Sequence, residues 1–145
     1  MRKLIKLLQK RMYHDVYIQL EEKKYQYTLE SLNKDFNDVD ELNLYCYLIY
    51  VLSKQQTCEM SILICEYLMF LGTPFYDIYP VIRYHLDISL LASPNNLEIL
   101  NWIASIFFEH PDSPYTDNEL LDFAKIIIRA EPDNEQAEKI LEKLG

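Results

Sequence analysis

Two stretches set 38 residues apart follow one pattern: Ala92-Ser93-Pro94-Asn95-Asn96 and Ala130-Glu131-Pro132-Asp133-Asn134. Proline has no amide hydrogen and crowds the residue before it, so it is tolerated in the first turn of a helix and not inside one. Each stretch therefore ends one helix and opens another. Ser93 and Pro94 offer an N-cap and a first-turn proline for a helix over 95–108. Glu131-Pro132 leads into a last helix with Ala137, Ile140, Leu141 and Leu144 at i, i+3, i+4 and i+7, and with Glu135, Glu138, Lys139, Glu142 and Lys143 on its other face. A helix with one apolar face is what closes a stack against water.

The rest of the chain reads the same way. Two Gly and six Pro in 145 residues are too few for a protein of many tight β-turns. Half the residues are hydrophobic and 13% aromatic, enough for a real core. The stretches 39–54 and 58–71 are apolar nearly all round, which places those helices at the centre. Asp38 is positioned to cap the first of them, and Gly72 to end the second. A basic amphipathic helix over 2–12 is expected to dock through Leu4, Leu7 and Leu8. A long helix over 15–33 follows, with Val16, Leu20, Tyr27 and Leu32 inward. Further helices are expected over 81–92 and 117–130, the latter opened by a Thr116-x-x-Glu119 capping box. The expectation is an all-α protein of about seven antiparallel helices in one domain over 1–145, basic over 1–34 and an acidic stack over 39–144. Trp102, Ile103, Phe107, Ile49 and Leu63 should be buried.

The Pro-(Asn/Asp)-Asn turns resemble the unit boundaries of tetratricopeptide repeats. On that pattern Ile103 and Ala104 take the family's Leu-Gly pair, Phe107 its first-helix Tyr, and Pro132-Asp133-Asn134 closes the unit. Leu100 stands where the family has Trp, Ile127 where it has a small Ala, and the connector is four residues longer than a 34-residue repeat allows. The resemblance covers about residues 81–144. It implies a right-handed helical stack whose inner face presents Glu98, Asn101, Ser105, Phe108 and Glu109 to a ligand.

Signals for catalysis are sparse. Gly72 and Gly145 alone cannot build a phosphate loop. His14, His85 and His110 each have a carboxylate nearby in sequence but no Ser or Cys beside them. No His-x-x-x-His or Glu-x-x-His spacing suggests a metal. Glu59 and Glu66, seven apart, are expected to mark the exposed edge of their helix, and Cys46, Cys58 and Cys65 to be buried free thiols. The chain is therefore expected to be no enzyme and to hold no cofactor or metal.

Charge points to a partner instead. Residues 1–34 carry eight Lys/Arg and four Asp/Glu; residues 35–145 carry six and nineteen. Such a surface repels nucleic acid and anionic membranes and attracts a basic protein. Tyr76, Tyr79 and Tyr115 stand beside Asp77, Asp112 and Asp117, pairing large rigid contact area with acceptors for Lys or Arg. With the helix positions above, these form the expected partner surface. The acidic run Asp35, Asp38, Asp40 and Glu41 is the second choice. Size, acidity and lack of catalytic motifs resemble immunity proteins that neutralise bacterial toxins, many of them basic nucleases. The tetratricopeptide likeness implies an adaptor holding a peptide in a groove. No secretory signal is legible, and the longest apolar run, Leu42 to Leu52, is too short to span a bilayer, so the chain reads as a cytoplasmic monomer.

Overall fold

The computed structural model describes residues 1–145 as nine α-helices without a strand. They are α1 (Arg2–Gln9), α2 (Tyr13–Glu22), α3 (Leu29–Phe36), α4 (Glu41–Lys54), α5 (Cys58–Phe70), α6 (Tyr79–Ala92), α7 (Leu97–Phe107), α8 (Asp117–Ala130) and α9 (Glu135–Leu144). The all-α reading holds; the count of about seven does not. The expected helix over 15–33 is two helices, broken at Tyr25–Thr28. Lys24 adopts a left-handed backbone, φ 53°, and Tyr25 N–H closes back on Leu20 O at 2.9 Å. That arrangement ends a helix and is usually made by glycine. Thr28 then starts α3 through a capping box with Ser31. Likewise the helix expected over 2–12 stops at Gln9, because Arg11 is left-handed, φ 60°, and Met12 N–H reaches Leu7 O at 3.0 Å.

By packing the chain divides into two compact units, Met1–Ile78 and Tyr79–Gly145. In the first, α1 lies on α2 and α4, α2 also packs on α4, and α5 packs on α3 and α4. Leu4 and Leu8 of α1 are buried, each worth roughly 1.5–3 kcal/mol. Asn43 of α4 ties α1 down by donating to Leu8 O at 2.9 Å. Eight residues of α5, including Met60 through Cys65, are buried, as its all-round apolar sequence requires. Asp40 caps α4, not Asp38, because Val39 turns inward and leaves the next carboxylate facing the Asn43 amide at 3.0 Å. Gly72 does follow α5, but for a different reason from a left-handed backbone. A Cβ there would meet the Tyr67 hydroxyl oxygen at 2.5 Å. Tyr67 is buried and donates to Glu41 O at 2.8 Å, so its ring cannot step aside cheaply.

In the second unit α7 packs on α6, α8 and α9, and α8 packs on α9. Leu100, Ala104, Ala124, Ile127, Ala137 and Ile140 form a core cluster. Three alanines there let the helices approach closely. The two Pro-Asn turns share one geometry. Asn96 N–H reaches Ser93 O at 3.1 Å and Asn134 N–H reaches Glu131 O at 3.0 Å. Each asparagine then caps its helix, Asn96 accepting from Ile99 N at 3.0 Å and Asn134 from Ala137 N at 2.9 Å. The cap of α7 is thus Asn96 rather than Ser93, since the proline turn occupies the residues between. Ile103, Phe107 and Leu63 are buried as expected, whereas Trp102 and Ile49 are half-buried.

Candidate protein-binding surfaces

The connector between α7 and α8 carries several of the expected contact residues, and Arg83 of α6 pins it. Arg83 donates from Nη1 to Pro114 O at 2.6 Å and to Glu119 Oε1 at 3.0 Å. Its Nη2 reaches the second oxygen of Glu119, and Nε reaches Asp87 Oδ2 at 3.2 Å. Fork-on-fork pairing of guanidinium and carboxylate is directional and strong. The guanidinium also covers the Tyr115 ring at 4.6 Å, and the Tyr115 hydroxyl donates to Asp87 Oδ1 at 3.2 Å. Hydrogen bonding to Glu119 raises the Arg83 pKa, and the same bond holds the Glu119 carboxyl below its usual range. Glu119 closes the predicted capping box with Thr116.

Under the connector lies a ring cluster centred on buried Phe107. Trp102, Tyr79, His110 and Tyr115 surround it with centroids 5.7–6.3 Å away, and Phe123 continues the series from Tyr115. Tyr115 is only 4% exposed, so it is a core residue and offers no contact area. Tyr79 is half-buried against Phe107 and His110. Asn101 is engaged on α9 and its turn, accepting from Asn134 Nδ2 at 2.8 Å and donating to Glu131 at 2.9 Å. Phe108 packs against the core cluster, with the Lys143 ammonium above its ring. Lys143 also pairs with Glu109, itself left-handed at φ 64°. Glu98, Ser105, Asp112 and Asp117 are exposed. Tyr76 and Asp77 belong to the first unit, in its closing loop, and are exposed. Of the expected surface, Glu98, Ser105, Glu109, Asp112 and Asp117 therefore remain as exposed positions on the second unit.

The second-choice surface is mostly structural. Asp35 accepts from Tyr25 at 3.0 Å, Asp40 caps α4, and Glu41 accepts from Thr73 N at 3.0 Å. Only Asp38 among the four is without such a task in the fold of this segment.

The histidines do separate things. His14 Nδ1 bonds the Tyr50 hydroxyl at 2.8 Å rather than Asp15. His85 is buried, and burial pushes its pKa below the ordinary value. His110 Nδ1 accepts from Asp112 N at 3.1 Å. Cys65 is buried with its thiol pKa raised by burial, Cys58 is half-buried, and Cys46 is exposed, contrary to expectation. Glu59 is exposed and Glu66 half-buried. No helix is long and apolar enough to cross a membrane. Arg83 was not singled out from sequence, although Arg83 and Asp87 stand four apart on one helix face. No protein-family model, curated protein or solved structure matches the chain.

Proposed function

We propose that the chain is a non-catalytic protein-binding module, an inhibitor of the immunity type that holds a basic protein domain such as a toxin nuclease. The supporting observation is the charge of the second unit, five Lys/Arg against twelve Asp/Glu, with two of those cations already committed to Glu119, Asp87 and Glu109. A rigid acidic connector costs little entropy when a partner docks. Opposite charge speeds encounter. The test is kinetic. With a partner captured on the immobilised protein and identified, the triple variant Glu98→Lys, Asp112→Lys, Asp117→Lys should slow association about ten-fold or more and flatten its salt dependence. A partner that is not basic, or an association rate indifferent to salt and to the variant, would overturn the reading.

A second reading is favoured by the matched turns at Asn96 and Asn134, which repeat one helix–turn–helix geometry. It is a tetratricopeptide-like adaptor. The two readings part on the partner's own activity: an inhibitor abolishes it at equimolar ratio, an adaptor leaves it intact.

A further inference from the structure

The first unit contains a cleft of about 500 Å³, within the ~300–1,000 Å³ span of small-ligand sites. It forms where the end of α2 and the following connector meet the end of α4 and the start of α5. Met60 and Leu63, both buried, give it apolar carbon, and Glu21 and Glu59, both exposed, bring carboxylates to the same cleft. Lys24 is the single cation in the lining, so the cleft carries one net negative charge. None of these residues belongs to the acidic surface of the second unit.

Two tyrosines of the lining are fixed by their hydroxyls. Tyr25 donates to Asp35 at 3.0 Å, and Tyr27 shares a 2.8 Å hydrogen bond with Tyr47. Their rings stand edge to face, 5.0 Å apart. With the oxygens bound elsewhere, what these residues add to the cleft is aromatic carbon. Glu21 is held in place by Gln55, whose Nε2 donates to it at 2.9 Å.

Helix ends add to the field. Two C-termini, of α2 and α4, converge here and carry partial negative charge. The N-termini at its edge are both occupied. At α5 the Met60 amide is taken by Thr57 Oγ1, with Glu59 in the first turn. At α3, just past Tyr27, the Ser31 amide is taken by Thr28 Oγ1, with Glu30 in the first turn. The balance favours a cation over an anion.

We propose that this cleft binds an arginine side chain presented by a polypeptide. An arginine needs apolar surface along its stem, an aromatic ring near its planar head and a carboxylate to accept its fork. All three line one cavity. One net charge suits one guanidinium and not a polyamine, which would bring several charges to two carboxylates.

The test uses the full chain and capped arginine amide as probe, followed by NMR of the Met60 methyl and the Tyr25 and Tyr27 rings. Saturable shifts in the millimolar range are expected, weakened about ten-fold or more in Glu21→Gln/Glu59→Gln. Both glutamates are exposed, and unchanged circular dichroism will confirm that the variant folds. Capped citrulline, alike in shape but neutral, should not bind. Equal shifts from citrulline, no saturation by arginine amide, or tighter binding of putrescine would each overturn the proposal. So would inorganic phosphate shifting the same resonances, which would make the cleft an anion site at the start of α5. Because the probe is a single amino acid, the result is independent of whether the second unit's acidic surface proves to hold a basic protein.

Discussion

The two units reach the same helical content by different chemistry. The first holds nine of the twelve tyrosines and is nearly balanced, with nine Lys/Arg and eleven Asp/Glu. Many of its polar contacts between elements run through phenol hydroxyls: Tyr13 to Asn43, Tyr25 to Asp35, Tyr27 to Tyr47, Tyr67 to Glu41. The second has three tyrosines and seven surplus carboxylates, and is tied by a guanidinium knot and two asparagine-capped turns. Neutral phenols can be buried in number because each hydroxyl needs only one partner. A guanidinium needs several at once, so one Arg83 organises a whole connector. The first unit spreads its polar anchoring over many sites; the second concentrates it.

The largest expected effect tests that concentration. Phe107→Ala removes the ring around which four others pack and should cost about 3–5 kcal/mol. The lone Trp102, in the second unit, reports it by fluorescence during urea unfolding. The tyrosine signal, dominated by the first unit, should move less; equal displacement of both would mean that the units unfold as one and that their contrast has no energetic counterpart. Next, Ala104→Leu should overpack the crossing of α7 with α8 and α9, at about 1–3 kcal/mol by the same measurement. An unchanged midpoint would show that this crossing is loose.

Cap removal should be smaller. Asn96→Ala should cost about 1 kcal/mol, and Asn134→Ala more, because Asn134 also donates to Asn101. Equal costs in thermal melts would show that the link between the asparagines is idle.

The units should also respond to opposite ends of the pH scale. The folded pKa values of His85 and Glu119 lie below their ordinary 6.5 and 4.5, so the stability they lend is present above those values and lost as pH falls through the folded ones. Burial pushes Tyr27 up to about 12, and Tyr25, Tyr47 and Tyr67 higher still. Their contribution is complete below 10 and lost as pH rises through the folded values. Trp102 fluorescence should therefore change first in acid and tyrosine ellipticity first in alkali; the reverse order would refute the assignment. The smallest effect expected is at Lys24, where Lys24→Gly relieves a left-handed backbone and should raise the melting free energy by some tenths of a kcal/mol.

The parts of this architecture that were legible from sequence are those set by neighbouring residues. The start of the helix over 117–130 was readable because Thr116 and Glu119 stand three apart, and the end of α5 because a nearly all-apolar stretch stops at Gly72. The break at Tyr25–Thr28 was hidden because a lysine, not a glycine, takes the left-handed position. Trp102 looked like core by its hydrophobicity, yet its helix also borders solvent. The fixing of the connector by Arg83 joins residues 31 to 36 apart, and the cleft brings together two stretches separated in sequence, 21–27 and 55–63, so neither leaves a periodic trace. Tyr115 was misjudged for the same reason: a loop tyrosine beside acidic residues looks exposed until a distant arginine covers it.

The fit between Tyr67 and Gly72 carries a consequence for how this sequence can drift. The phenol occupies the volume that any side chain at 72 would need, and both its hydroxyl and its ring end lie within 2.6 Å of that point. The two positions are therefore bound to change together. A descendant that gains even a methyl group at 72 must first shrink residue 67, and in doing so gives up the hydrogen bond to Glu41 that joins the end of α5 to the start of α4. Each substitution alone passes through a less stable protein, so the pair should persist as a unit while the surfaces around it vary.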